Sequence, residues 1–452
     1  MKKILLIAAM CAALASCKQQ TVPASVPAQI KDGQIVLEEP QRAPGQTSAL
    51  GMTCDPIETV RVGFVGCGGR GSWAAVRYTY IDGVEIKAIC DLVEEKLDDL
   101  NSKLTDRGFP AADKYVGDEA YKQLCERDDI DLVYICTDWI SHVPIALYAM
   151  EHGKHVAIEV PGATTIAECW QLVDTSERTR KHCMMLENCC YDFFEMAALG
   201  MSQAGLFGEV YHVEGAYIHF LAEDWDRSEV WRLDYNMANR GDNYPTHGLG
   251  PICQVLNIHR GDKMDYLVAM DTPSYNGKVA AKKWRDSDEC KDGDHTISLI
   301  QTEKDKLIEV QHNVYAYRPY SRMYQLTGTA GYANKYPVEQ ISLKDVSGHS
   351  TVSDEVRDSL LREYIPAFVK EIEEKAKTVG GHGGMDYIMD YRLIYCLHNG
   401  LPLDEDVYDA AEWGAVAELS RISLENGSMP VKFPDFTRGD WNKTQGFHYA
   451  LK

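Results

Sequence analysis

The run "VRVGFVGCGGRG", from Val60 to Gly71, limits what this chain can fold into more than any other stretch. A short apolar strand ends in Gly66, Gly68 and Gly71, spaced G-x-G-x-x-G, and a helix-compatible segment follows. In that setting Gly66 permits a tight turn, Gly68 lets backbone approach a pyrophosphate, and Gly71 allows close packing of helix on strand. Asp91 ends the next strand, "VEIKAICD", 20 residues after Gly71. An acid there accepts hydrogen bonds from a ribose 2′-hydroxyl and repels a 2′-phosphate. The pattern predicts NAD over NADP, with Arg70 beside the loop arguing the other way.

The strands "DLVYICT", "HVAIEV" and "HCMMLEN" follow, separated by helical stretches such as "SHVPIALYAMEHGK". This alternation predicts a Rossmann-type α/β domain over residues 59–190. From "GEVYHVEGAYIHF" (Gly208 to Phe220) onward, strands come in runs, which predicts an α+β domain on a mostly antiparallel open sheet over residues 191–436. Residues 437–452 read as a C-terminal tail. Two domains suit a chain of 452 residues. Residues 18–58 are rich in Pro, Gln and Ser and read as a flexible tether.

Before the tether, Lys2 and Lys3 precede an apolar run too short to span a membrane, which reads as an export signal over residues 1–17. Its end, "LASC", resembles the bacterial lipobox. The resemblance implies cleavage before Cys17, a lipid on that thiol, and an envelope lipoprotein, periplasmic or on the outer membrane. Twelve further cysteines follow without a C-x-x-C pair, and several sit in apolar runs as small core residues. A net charge of −22 argues against nucleic acid and anionic membranes and favours a neutral or cationic small molecule as partner; self-association is left open. No H-E-x-x-H or G-x-S-x-G occurs, and Cys290 breaks calcium-loop spacing in "DSDECKDGDH" (Asp286 to His295), so no metal site is read.

With "TDWISHVP" (Thr137 to Pro144) and "EVP" (Glu159 to Pro161), the chain resembles the glucose–fructose oxidoreductase and inositol dehydrogenase family from Val60 to about Phe436. Those enzymes carry a Lys after the Glu and an Asp four residues before a His. Here Val160 replaces the Lys and Asn243 stands four before His247. The further motifs "LEN" (Leu186 to Asn188), "WR" (Trp231, Arg232), "YPTHGLGP" (Tyr244 to Pro251), "RPYSR" (Arg318 to Arg322) and "HGGMDYIMDYRLIYCLHNGLPLD" (His382 to Asp404) look like glycoside hydrolase family 109. Those are bacterial NAD-dependent α-N-acetylgalactosaminidases.

The resemblance implies that Gly69, Arg70, Asp91, Trp139, His142, Glu159, Val160 and Asn188 line a site for NAD that stays bound and is recycled. It implies that Tyr217, Arg232, Tyr244, His247 and Tyr320 contact the sugar. The implied reaction oxidises C3, removes the C2 proton, expels the C1 leaving group, adds water and returns the hydride, with no net redox. Tyr244 and His247 suit the proton acceptor for the C3 hydroxyl. Tyr191 is the candidate base at C2, and Glu159 a candidate to bind or to protonate the leaving group. Two other readings compete: a sugar dehydrogenase releasing NADH, and a glycan-binding lipoprotein with a vestigial dinucleotide fold. The missing Lys argues against the first and the intact glycine loop against the second.

Overall fold

The computed structural model describes residues 24–222, 225 and 230–452; the export signal and Cys17 lie outside them. The first domain is a six-stranded parallel sheet in the spatial order Asp113–Val116, Val84–Asp91, Val60–Val65, Leu132–Ile135, His155–Ile158, Cys183–Met185. Its central strands are buried along nearly their whole length, as a parallel sheet covered on both faces requires. The carboxyl ends of these strands run into Gly66, Asp91, Thr137, Glu159 and Glu187, so one edge of the sheet collects the residues that face a ligand in an open α/β fold.

The second domain is built on a ten-stranded sheet. Its order is Ala28–Lys31, Gln34–Leu37, Val431–Lys432, Met264–Asp271, Thr296–Thr302, Leu307–Asn313, Val210–Ile218, Gln325–Gly328, Gly331–Asn334, Gln340–Leu343. Pairing is antiparallel except where Leu307–Asn313 meets Val210–Ile218 and where Val431 meets Ile35. The helix Val407–Glu425 packs on the helix Ile166–Thr179 and the strand Cys183–Met185 of the first domain, and on the strand Met264–Asp271 of the second. It is buried on every face, which explains its run of small and apolar residues, "AAEWGAVAEL". A Cβ at Gly414 would stand 2.8 Å from the Ala163 carbonyl oxygen, so the close approach of helix to first domain depends on that glycine.

Two expectations are corrected here. The described part of the supposed tether, residues 24–58, is folded. Its two strands form a hairpin through Asp32 and Gly33, both at positive φ, and Ile35, Leu37, Ala49 and Met52 are buried. Polar anchors hold the rest, with Ser25 donating to Glu418 at 2.6 Å and Arg42 paired to Glu177 at 3.0 Å. The C-terminal segment is not a loose tail either. Phe447 is buried, the Arg392 guanidinium donates to the Ala450 carbonyl at 2.7 Å, and the Ala450 amide donates to Asp404 at 3.1 Å. All twelve described cysteines are free and ten are buried. No helix among the described residues is long and apolar enough to cross a membrane.

One buried pair in the first domain makes a testable contribution to stability. Nδ1 of His155 accepts the His182 amide at 3.1 Å, and burial, reinforced by His182, pushes His155 down to about 3. Because the fold holds the neutral ring, the unfolded chain binds the extra proton below the ordinary value near 6.5. The stabilising contribution is therefore complete above about pH 6.5 and shrinks by up to about 1.4 kcal/mol per pH unit as pH falls toward 3. The variant His155→Asn keeps an acceptor but cannot titrate. Its deficit in melting temperature relative to the parent protein should narrow from pH 7 to pH 5; a constant difference would remove the effect.

Candidate functional site

The glycine loop leads into the helix Gly69–Tyr78, whose Arg70 reaches Asp386 of the second domain. Gly66 has φ +88°, and a Cβ on it would lie 2.5 Å from the Cys136 carbonyl oxygen; one on Gly71 would collide with the Gly66 oxygen. The fold itself requires both. A Cβ on Gly68 would come no nearer than 3.8 Å to any neighbour, and one on Gly69 would meet nothing. Protein packing does not ask for glycine there, whereas a phosphate drawn against the helix N-terminus would. The Asp91 carboxylate accepts the Cys67 amide at 2.8 Å and the Val93 amide at 3.0 Å, which fixes it beside the loop. These residues fit NAD. Arg70 does not oppose that choice, because its side chain turns to Glu159 at 2.5 Å and Asp386 at 2.6 Å.

Asp386, 1% exposed, joins the two domains at this point. It accepts from Arg70, from the Asn188 amide at 2.6 Å and from His382 Nδ1 at 2.9 Å. Burial alone would raise its carboxyl, but the Arg70 guanidinium, aided by His382 and Arg77, holds it far below the usual range. Val160 is buried next to Glu159, and the peptide joining it to Pro161 is cis. His142 is 1% exposed, with one ring nitrogen 2.9 Å from the Pro161 carbonyl and the other 3.1 Å from that of Thr137. Both nitrogens are thus taken up by backbone. His142 supports the loop that carries Val160.

The opposite wall is aromatic. Trp139, at the start of the helix Trp139–Glu151, stacks on Tyr244 at 5.5 Å, and the Arg232 guanidinium lies 5.1 Å and 4.9 Å over those two rings. Tyr244 and His247 bracket the start of the helix Thr246–Leu256. The Tyr217 ring is 4.5 Å from Tyr244 and 5.3 Å from His247, and its hydroxyl is 2.9 Å from Nδ1 of His219. Tyr320 meets His219 at 5.1 Å, so all five expected sugar contacts share one wall.

Nδ1 of His247 lies 2.7 Å from the carboxylate of Glu187, which is fully buried. Burial alone would raise the Glu187 carboxyl, but His247 holds it below its ordinary value. With the Cys189 thiol, these donors lie within 4.8 Å of one another, a Glu/Cys/His set of metal-ligating type. Burial raises the Cys189 thiol well above its ordinary value, which disfavours the thiolate a metal would need.

A family model for the C-terminal domain of glycosyl hydrolase 109 matches residues 191–443, and one for the NAD-binding Rossmann fold of an oxidoreductase family matches residues 60–187. A "Glycosyl hydrolase family 109 protein 1" of Bacteroides thetaiotaomicron is 53% identical over 468 residues, covering 100% of both chains. The chain belongs to glycosyl hydrolase family 109. A family 109 protein of Phocaeicola vulgatus is 54% identical over 91% of each chain. Among solved structures, an NAD-binding oxidoreductase from Klebsiella pneumoniae superposes with TM-score 0.66 at 16% identity, over 84% of this chain and 100% of that one. Levoglucosan dehydrogenase in complex with NADH gives 0.63 at 18%, over 83% and 100%. At such identities these two speak for the fold alone. The family 109 chain is thus a glycosidase on an NAD-dependent oxidoreductase fold.

Within this family 109 site one sequence-predicted residue is misplaced. Tyr191 is 0% exposed, its hydroxyl has no hydrogen-bond partner among the described residues, and the charges that act on it belong to Glu405, Asp404 and Arg392. Burial pushes that phenol well above its ordinary value, which disfavours the phenolate a base at C2 would use. Asn243 donates to the Asn239 carbonyl at 3.1 Å, and the carboxylate beside His247 is Glu187, from the other domain. The sequence reading assigned no role to Glu187, His219, His382 or Asp386. Glu187 lay inside "LEN", and Asp386 inside "HGGMD", where a glycine run leads into an acid in the first turn of the helix Met385–Asn399.

Proposed function

We propose that this family 109 protein removes terminal α-linked N-acetylgalactosamine from glycans, using NAD that stays bound and is regenerated within each turnover. The His247–Glu187 pair, set against Tyr244 and Tyr217, carries this reading. Bound NAD would supply a reversible hydride acceptor for the sugar, which makes the C2 proton acidic while C3 is a ketone. Gly68, Gly69, Asp91 and the Arg70–Asp386–Asn188 cluster would hold it. His247, oriented by Glu187, would take the C3 hydroxyl proton. Tyr217, hydrogen-bonded to His219, replaces Tyr191 as the residue that would take the C2 proton. Val160 gives an apolar wall where a dehydrogenase lysine would compete for protons. Glu159, ion-paired to Arg70, would anchor the cofactor side of the site. A lipid on Cys17 would tether the enzyme in the cell envelope, where a recycled cofactor suits a compartment without a nicotinamide pool.

The test incubates the purified protein with nitrophenyl α-N-acetylgalactosaminide in D₂O without added NAD. Nitrophenol release with deuterium gained at C2 and no net NADH supports the proposal, whereas stoichiometric NADH would make the protein a dehydrogenase. Tyr217→Phe should lower C2 exchange by about 10²-fold or more with NAD still bound. Tyr191→Phe should exchange at the parental rate; the reverse pattern would return the role to Tyr191.

A further inference from the structure

Beneath the segment that delivers Tyr244 and His247 lies a set of buried oxygens without partners. The helix Val230–Ala238 ends there, the chain turns through residues 239–243, and the Asp292 amide donates back to the Asn236 carbonyl at 3.3 Å. Among the described residues, Oδ2 of Asp242, Oδ1 of Asp292 and Oδ1 of Asn236 have no hydrogen-bond partner, and these residues are 0%, 0% and 3% exposed. The remaining oxygens are lightly engaged. Asp242 Oδ1 accepts the Tyr244 amide at 3.3 Å, and Asp292 Oδ2 accepts the Tyr315 hydroxyl at 3.1 Å.

Charge decides what belongs here. No cationic side chain among the described residues pairs with Asp242 or Asp292. Nearby Asp271 is matched by Arg240 at 2.6 Å, and Asp294 is occupied with the amides of Tyr275, Asn276 and Gly277 at the start of the helix Asn276–Arg285. The Cys290 thiol, raised by burial, faces the Asp292 carbonyl and the Tyr315 hydroxyl and brings no charge of its own. Burial pushes Asp242 up to about 7. Burial also raises the Asp292 carboxyl well above its ordinary value, and Asp242 adds to the rise. Two carboxylates left unpaired inside protein are strongly unfavourable. Protonation removes that charge but leaves Oδ1 of Asn236 and the outward carboxyl oxygens without partners, and water satisfies dipoles but leaves a carboxylate uncompensated. A hard cation satisfies both, and carboxylate and amide oxygens are the ligands such ions prefer.

We propose that Asp242, Asp292 and Asn236 bind a hard cation of the calcium class, which fixes the backbone leading into Tyr244 and His247. Asp292 lies within Asp286 to His295, but the donors come from three places in the chain, so this is not the contiguous calcium loop whose spacing Cys290 breaks. It does not rest on the identity of the sugar.

Tyr315, bonded to Asp292 and 5.5 Å from the Trp225 ring, provides an optical antenna. Protein stripped with EDTA should show saturable Tb³⁺ luminescence at one ion per chain when its aromatic residues are excited, and Ca²⁺ should displace it. The signal should be lost in Asp292→Asn and in Asp242→Asn, so that a folding failure in one variant leaves the other to report. CaCl₂ should raise the melting temperature of the stripped protein by several degrees. Absence of saturable luminescence, equal luminescence in the two variants and the parent, or identical melting with EDTA and with Ca²⁺ would overturn the proposal in favour of water and shared protons.

Discussion

Replacing Glu187 with Gln is expected to lower kcat by about 10²- to 10⁴-fold while bound NAD is retained. The Glu187 carboxylate contacts His247 Nδ1 at 2.7 Å and 3.0 Å, which sets which ring nitrogen carries the proton and favours the imidazolium formed after proton transfer. Gln offers one acceptor and no charge, so the ring keeps a neighbour but loses the carboxylate that balances the charge it gains with the proton. Measuring kcat and KM separately, alongside the NAD content of the purified variant, separates this role from a structural one, because a disordered site would also raise KM and lose NAD. A parental kcat would remove Glu187 from the proposed proton relay.

The same pair shows where sequence reading stops. Gly66, Gly68, Gly71 and Asp91 are legible because turn geometry and strand ends impose local spacing. Glu187 and His247 lie 60 positions apart, and Arg70 and Asp386 lie 316 apart, so no periodicity or spacing joins them. Only the packing of the second domain onto the carboxyl edge of the first brings them together. Tyr191 and Tyr217 show a different difficulty. In a chain with 25 tyrosines, residue type does not distinguish a phenol in the core from one in the cleft. The supposed tether misleads for a third reason. Its Pro- and Gln-rich composition outweighs "IKDGQIVL", in which Asp-Gly between apolar residues is a strong hairpin signal. Composition describes a whole segment, but a two-residue turn is enough to seat a strand in a sheet.

Asp386→Asn is expected to lose NAD and stability together. The carboxylate is 1% exposed and accepts from Arg70 at 2.6 Å, Asn188 at 2.6 Å and His382 at 2.9 Å, with Arg77 at 3.6 Å. Asn preserves the shape but turns one acceptor into a donor facing guanidinium. Removing one partner of a buried ion pair leaves the other charge uncompensated and costs about 3–5 kcal/mol. Arg70 and Asn188 would then lose the orientation that the cofactor site requires. Because the folded carboxyl is held below the unfolded one, the contribution of Asp386 is complete above about pH 4 and is lost only as pH falls further. The deficit should therefore be the same at pH 6 and pH 8. Asp390→Asn supplies the contrast, since Asp390 pairs with Arg77 at 2.8 Å and accepts from Tyr134 at 3.1 Å without touching Arg70. It should melt early yet retain NAD, whereas Asp386→Asn should purify with less cofactor and regain part of its melting temperature when NAD is added. If both variants kept full cofactor, the link from the second domain through Asp386 to the glycine loop would be structural only.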